Sequence, residues 1–155
     1  MAKKFTYILL LFFAVVNIYA QSTLSFTANN PDLSKANVQM ELTLNLNDNA
    51  DSLLYIILPE KLEAVPLSVQ KNNNNLWLKN SNKKPDKEAS LSWKISDNNT
   101  LIFRFLTGTI VSGDVIKIVC MVKYRGKPSQ DDKISVKTNQ SAAVITEVLL
   151  NTINR

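Results

Sequence analysis

Val38–Leu46, with the sequence VQMELTLNL, is the stretch that decides the fold. Apolar side chains occupy every second position in it, and polar side chains occupy the positions between them. Because successive side chains of a β-strand point to opposite faces, this alternation predicts a strand with one face in a core and the other in solvent. Asn47–Asp51, which follows, is rich in residues that favour turns.

Seven further strands are predicted, and turn signals separate them. Asp97–Asn99, between the predicted strands 91–95 and 101–105, consists of residues that favour turns. We therefore expect a hairpin in which Trp93 packs against Phe103. Leu53–Leu58 is a continuous apolar run, typical of a strand that is buried on both faces or crosses the centre of a sheet. Lys71–Lys87 is mostly polar and predicts a long loop. The predicted strands are 24–28, 38–46, 53–58, 91–95, 101–105, 116–124, 133–137 and 142–150.

The first twenty residues predict a secretory signal peptide. Lys3 and Lys4 form a basic start, Ile8–Val16 is an apolar stretch, and Ile18–Ala20 is a small-residue cleavage site. The apolar stretch is shorter than the roughly 20 residues that a membrane helix needs, and no second one follows. We therefore expect residues 1–20 to be a cleaved signal peptide. Residues 21–155 are expected to form one exported domain, periplasmic or extracellular, with no transmembrane helix after signal cleavage.

The number and spacing of the strands predict the fold class of that domain. About eight or nine short antiparallel strands, separated by turns roughly every 8–12 residues, are typical of a β-sandwich. No segment shows a convincing apolar period of 3.6 residues, so no helix is predicted. The fold class is therefore expected to be all-β, with a single sandwich.

The composition excludes several classes of function. The chain has no histidine and its only cysteine is Cys120, which excludes internal disulfides and thiolate metal sites. Its three glycines form no glycine-rich phosphate loop. The 18 basic residues fall to 16 once Lys3 and Lys4 are removed, against 13 acidic ones, and they are scattered along the chain. We therefore expect no cofactor, no metal and no nucleic-acid partner, and we expect Cys120 to be a buried, inert thiol.

One group of amide and acidic side chains has the spacing of a calcium loop. Asn47, Asn49 and Asp51 stand at positions i, i+2 and i+4. Ser52 and Leu58, however, occupy the positions where such a loop needs glycine and a bidentate glutamate. An ordinary turn is therefore expected there.

Paired carboxylates are a second candidate, since two acids a few ångströms apart can hydrolyse a glycosidic bond. The available pairs are Asp131 with Asp132 and Asp86 with Glu88, and neighbouring acids on a loop are usually solvated. Serine nucleophiles would need a lysine base because the chain has no histidine. We therefore expect that the protein is not an enzyme.

Trp77 is the best candidate for a ligand-binding residue. It lies among asparagines and lysines, and an exposed aromatic ring among polar side chains is what a sugar or peptide platform requires. The alternative is that Leu76 or Trp77 fixes the loop onto the sheet. A carbohydrate-binding function predicts that Trp77 shares one exposed face with Tyr55 or Tyr124. Trp93, by its alternation with apolar neighbours, is expected in the core.

Part of the chain resembles a known class of exported domains. An Asn-rich turn precedes an apolar strand that ends in Leu-Pro, and a further turn and strand follow. This order resembles the secreted Ig-like repeat domains of bacterial adhesin-type proteins, and the strand rhythm is similar to cohesin-like and cellulose-binding sandwiches. The resemblance implies an Ig-like β-sandwich, although Glu60-Lys61 stands where glycine is usual. The segments that carry it are Leu46–Asp51, Leu53–Leu58, Pro59–Val65, Ser92–Lys94 and Ser112–Asp114.

Together these observations predict an exported, non-catalytic binding or assembly module of a bacterial envelope or cell surface. The first interpretation is an adhesin-like interaction with an envelope or surface protein. In it, a partner strand adds to an exposed sheet edge such as Ala142–Leu150. The alternative is a carbohydrate-binding module that binds a glycan with Trp77. The sequence leaves this choice open.

Overall fold

The computed structural model describes residues 21–47, 52–80, 89–138 and 143–150. The predicted signal peptide, Asn49 and Asp51 of the calcium-like spacing, and the pair Asp86 and Glu88 all lie outside the described residues. Within the described ranges, no helix is long and apolar enough to cross a membrane.

Eleven strands are present in the described part of the chain, and they form two sheets. They are β1 (Thr23–Ala28), β2 (Val38–Asn45), β3 (Leu53–Ile57), β4 (Leu62–Lys71), β5 (Asn74–Leu76), β6 (Leu78–Asn80), β7 (Leu91–Ser96), β8 (Thr100–Phe105), β9 (Val115–Tyr124), β10 (Lys133–Lys137) and β11 (Thr146–Leu149). The five-stranded sheet has the order β1-β2-β9-β4-β5, and the six-stranded sheet has the order β11-β10-β3-β8-β7-β6. The predicted all-β sandwich is confirmed. It has more strands than the eight or nine expected, and β6 and β7 form a parallel pair.

The core lies between the two sheets and is built largely from the strands that the sequence predicts. β2 and its neighbour β9 alternate buried and more exposed side chains along their length. Trp93 on β7 is the register partner of Phe103 on β8, and both are buried, so the predicted hairpin is confirmed. Burying one such large side chain contributes about 1.5–3 kcal/mol. The buried side chains between the two sheets therefore contribute strongly to the stability of the fold.

The apolar run of β3 has a different explanation from full burial. β3 lies between β10 and β8 in the middle of the six-stranded sheet, as one interpretation of its sequence predicts. Burial on both faces is wrong: Leu54 and Ile56 face the core, whereas the alternate side chains are only partly buried. The reason is that, within the described residues, no second layer covers the outer face of this sheet.

The segment predicted as a long loop contains two short strands. β5 pairs with β4 and β6 pairs with β7, so the chain passes from one sheet to the other at Trp77. Strands of three residues are too short to produce a periodic pattern in the sequence. The rest of the predicted loop, residues 81–88, lies outside the described residues.

Two residues of the asparagine run form the turn between β4 and β5. Asn72 and Asn73 have positive φ angles of 51° and 65°. Two successive residues of this kind make the type I′ turn, whose twist matches that of a hairpin. Asparagine adopts this conformation more readily than most residues other than glycine. The run therefore has a conformational role in addition to being solvated.

Candidate functional site

The outer face of the six-stranded sheet carries a row of side chains that crosses four strands. Tyr55 on β3 is the register partner of Ile102 on β8. Lys137 on β10 is the partner of Tyr55 on one side, and Lys94 on β7 is the partner of Ile102 on the other. An aromatic–aliphatic pair is thus flanked by a lysine at each end.

Two neighbouring rows complete a concave surface, which we call the groove. One row is Leu53, Arg104 and Ser92, and the other is Ile57, Thr100 and Ser96. The three rows enclose a hollow of about 500 Å³ and a second one of about 330 Å³. Tyr55 and Ile102 line both hollows, so the groove is continuous. Its floor is formed by half-buried apolar side chains and its rim by hydroxyl and cationic groups.

The groove is positively charged. Lys94, Arg104 and Lys137 line it, and no aspartate or glutamate of the described residues does so. Within the described ranges these three cations form no ion pair. Glu147 on β11 of the same sheet is already paired, because its carboxylate lies 2.7 Å from the ammonium of Lys133. Uncompensated positive charge over a concave floor raises the local concentration of anionic ligands.

Trp77 forms a second, separate site at the edge of the sandwich. Its side chain is 61% exposed, and it borders a hollow of about 380 Å³ whose other apolar walls include Leu67 and Leu76. The backbone N–H of Trp77 donates to the hydroxyl of Ser90 at 2.7 Å, and its carbonyl accepts from the N–H of Leu91 at 3.2 Å. The backbone is therefore fixed while the ring faces outward. Of the two residues that could fix the loop onto the sheet, Leu76 packs against the core and Trp77 does not.

The structure does not bring the three predicted ligand-binding residues together. Tyr55 lies on β3, and Trp77 directly precedes β6, three strands away in the sheet order. The hollows beside them have no lining residue in common. The prediction that Tyr124 shares an exposed face is wrong, because its side chain is only 1% exposed. Tyr124 belongs to the inward-facing set of β9.

Tyr124 instead holds the loop that follows β9. Its hydroxyl donates to the carboxylate of Asp132, which also accepts from the backbone N–H of Ser129 at 2.6 Å. Burial, together with the hydrogen bond and charge of Asp132, raises the pKa of Tyr124 to about 12. The same hydrogen bond is the main cause that lowers the pKa of Asp132. Of the pair Asp131 and Asp132, the second therefore has a structural role.

The remaining candidates are also located. Cys120 is fully buried, as predicted, and burial raises the pKa of its thiol to about 12, so it is neutral at physiological pH. Trp93 is buried, also as predicted. Among the residues that the structure describes, no three His, Cys, Asp or Glu side chains lie close enough together to hold a metal ion.

The sheet edges bear on the predicted strand addition. β11 is the edge of the six-stranded sheet, as predicted, and β1, the edge of the other sheet, lies beside it. On the opposite side of the sandwich, β5 covers only the last three residues of β4. The uncovered part of β4 contains Pro66 and an irregular register between Pro66 and Ser68. A proline and a bulge on an edge strand both hinder the addition of another strand.

The sequence does not predict that the residues of the groove lie together. The alternation of β7 and β8 places Lys94 and Arg104 on outward positions, and that signal was visible. Their proximity to Tyr55 depends on strand order and register, which local sequence does not contain. Lys137 is further away in sequence and joins the row only through the pairing of β10 with β3.

Comparisons with known proteins find solved structures that are similar to this chain at low sequence identity. No family model and no curated protein matches the sequence. The bacterial hydrophobin BslA is 14% identical with a TM-score of 0.47, over 82% of this chain and 93% of that one. The collagen-binding domain of a Staphylococcus aureus adhesin is 9% identical with a TM-score of 0.45, over 83% and 95% of the two chains. The CBM3a-L domain of the scaffoldin cipA of the Clostridium thermocellum cellulosome is 10% identical with a TM-score of 0.43, over 82% and 89%. These values assign neither a family nor a ligand to the chain.

Proposed function

We propose that the protein is an exported, non-catalytic binding module that binds an envelope or surface protein through the groove. One observation carries the proposal. The two central strands of the six-stranded sheet, β3 and β8, present Leu53, Tyr55 and Ile102 to the outside, where they line a hollow of about 500 Å³. In the other sheet, the outward faces of β1 and β2 carry mostly threonine, serine and amide side chains, whereas β9 and β4 also place apolar side chains outward, among them Met121 and Val65.

The mixture of groups in the groove suits a protein partner. Protein interfaces combine an apolar centre with a polar rim, and tyrosine and arginine contribute most to their affinity. Tyr55 lies on the apolar floor of the groove, and Arg104 is exposed on its rim. We favour this face over strand addition at β11, because β11 is only four residues long and β1 lies beside it. Export is part of the proposal because residues 1–20 have the pattern of a signal peptide.

Site-specific photo-cross-linking tests this proposal. A photoreactive phenylalanine analogue is placed at Ile102 in the groove or, as the control, at Thr43 on the outer face of the five-stranded sheet. Both positions are partly buried and face outward. After irradiation of living cells of the source organism, we expect a discrete protein adduct from Ile102 and none from Thr43. Adducts from Thr43 alone would place the binding surface on the other sheet and reject the proposal.

A carbohydrate-binding function at Trp77 is the second candidate, and the 61% exposure of its ring favours it. An exposed indole can stack on the apolar face of a sugar ring. Because Trp93 is buried, most quenching of fluorescence by acrylamide should come from Trp77 and disappear in Trp77→Phe. A glycan array then compares the wild type with Trp77→Ala. Glycan binding that is lost only in Trp77→Ala would support this candidate, and equal binding by both proteins would reject it.

A further inference from the structure

We propose that the groove selects an acidic peptide segment of its partner, in which each apolar side chain is followed by two carboxylates. This inference rests on the proposed function and adds the chemical class of the ligand. In the bound state the apolar side chains would lie on Tyr55 and Ile102, and the carboxylates would lie near the cations on the two sides.

The arrangement of the central row supports this ligand. Lys137 and Lys94 stand at the two ends of the row, with Tyr55 and Ile102 between them. Adjacent strands are about 4.8 Å apart, so the Cα atoms of the two lysines are separated by roughly 14 Å across the sheet. That width accommodates one peptide chain. In a polyproline II conformation, which has three residues per turn, one side chain in three points to the floor and the two between them point to the two sides. Arg104, one row further along β8, provides a third cation and can bind a carboxylate through two parallel hydrogen bonds.

The charge of the groove is available to a ligand. Within the described ranges, the side chains of Lys94, Arg104 and Lys137 have no ion-pair partner. Glu147, the acid on the neighbouring β11, is neutralised by Lys133. A neutral peptide would desolvate three cations without compensation, whereas an acidic peptide pairs with them. The groove therefore discriminates by charge.

The apolar floor favours a peptide over an acidic polysaccharide. Leu53, Ile57 and Ile102 are branched aliphatic side chains, which complement apolar side chains of a peptide. A sugar polymer has none, and it binds best to aromatic rings that expose a full face. The one aromatic ring of the groove, Tyr55, is partly buried in the sheet surface. Trp77, whose ring is exposed, lies outside the groove.

Fluorescence anisotropy with defined probes tests the inference. The probe is a short fluorescein-labelled peptide that repeats Glu-Glu-Ile, compared with the same peptide carrying glutamine for glutamate. We expect the wild-type protein to bind the acidic peptide at least about tenfold more tightly. Each exposed ion pair contributes up to about a fivefold change, so the triple variant Lys94→Gln, Arg104→Gln, Lys137→Gln should weaken binding by more than about tenfold. High salt should weaken it as well.

A matched variant controls for net charge. Lys117→Gln, Lys123→Gln, Lys127→Gln removes the same charge from positions outside the groove and should bind as the wild type does. Equal losses in the two triple variants, or equal binding of the acidic and amide peptides, would overturn the inference. Tighter binding of polygalacturonate than of the acidic peptide, with the same dependence on Lys94 and Arg104, would also overturn it in favour of an acidic glycan. If no acidic peptide binds while Ile102 still gives a protein adduct in cells, the inference fails and the proposed function stands.

Discussion

The groove and the corner around Asp114 use charged side chains in opposite ways. Asp114 is buried, and its carboxylate lies 2.8 Å from the ammonium of Lys71. It also accepts from the side-chain amide of Asn72 at 2.7 Å and from the backbone N–H of Val111 at 2.8 Å. We call these four groups the Asp114 network. It connects the β4–β5 turn to the start of β9, because Asn72 also accepts from the N–H of Val115.

The groove cations, in contrast, have no acidic partner within the described part of the chain. Lys71 contributes to folding because its charge is neutralised inside the protein, whereas Lys94, Arg104 and Lys137 are the cations that we propose bind a ligand. The comparison teaches that internal pairing distinguishes a structural cation from a binding one. The two regions should therefore respond in opposite ways to substitution: one in stability and the other in affinity.

The largest effect is expected from Asp114→Ala. The substitution removes the buried carboxylate that accepts from Lys71, Asn72 and the N–H of Val111, and leaves Lys71 only its hydrogen bond to the carbonyl of Thr109. It should cost about 2–4 kcal/mol of unfolding free energy. Urea denaturation followed by tryptophan fluorescence measures this loss. Asp114→Asn is the control, since it keeps the shape and part of the hydrogen bonding and should lose less. A change below about 0.5 kcal/mol in Asp114→Ala would show that the network contributes little.

The second effect is a loss of stability in acid. Burial alone would raise the pKa of Asp114, but hydrogen bonds from Lys71, Val111 and Asn72 outweigh it and hold the pKa below its usual value of 3.8. Since the folded protein lowers the pKa, the stabilisation is complete above that value and is lost as the pH falls below it. Unfolding free energies from about pH 5 to about pH 2 should therefore decrease less steeply in Asp114→Asn than in the wild type. Parallel profiles for the two proteins would contradict the prediction.

The pair Tyr124 and Asp132 extends the comparison to alkaline pH. The pKa of Tyr124 is raised from 10.0 to about 12, so its contribution is complete below pH 10 and is lost as the pH rises towards 12. Tyr124→Phe removes one hydrogen bond, which should cost about 1 kcal/mol at neutral pH, and it should also reduce the alkaline loss. Urea denaturation at neutral and alkaline pH measures both effects. The control is Tyr55→Phe, at a position that lines the groove. This variant should lose as much stability at alkaline pH as the wild type does.

Local sequence predicts the longer strands, because each of them carries its own pattern of apolar positions. β2 was predictable because its alternation is uninterrupted over eight residues. The hairpin of β7 and β8 and the strand β9 were predictable because their inward positions are regularly apolar, although the outward residues Ile102, Val119 and Met121 are apolar as well. β4 was predicted only through the resemblance, since Pro66 and the bulge after it shift the phase of the pattern. β5 and β6 have three residues each and show no pattern.

The candidate site residues also differ in how far local sequence predicts their position. The exposure of Trp77 was left open by the sequence, because its direct neighbours Leu76 and Leu78 are apolar and polar residues lie only beyond them. Tyr124 was misplaced because its aromatic ring was considered apart from its position in the alternation of β9, which faces the core. The groove depends on register between strands that are distant in sequence, as with Tyr55 and Lys137. No local pattern predicts such a pairing.

The smallest effect on stability is expected in the groove itself, and it tests the comparison from the other side. The triple variant Lys94→Gln, Arg104→Gln, Lys137→Gln breaks no internal ion pair of the described structure, so its unfolding free energy should stay within about 0.5 kcal/mol of the wild type. A slight gain is expected at low salt, because the three cations share one face and repel one another. The measurement is urea denaturation at low and high salt, with the triple variant Lys117→Gln, Lys123→Gln, Lys127→Gln as the control.

A loss of 2 kcal/mol or more, as expected for Asp114→Ala, would mean that the groove cations support the fold. Their charge would then be structural, like that of Lys71, and the contrast between the two regions would disappear.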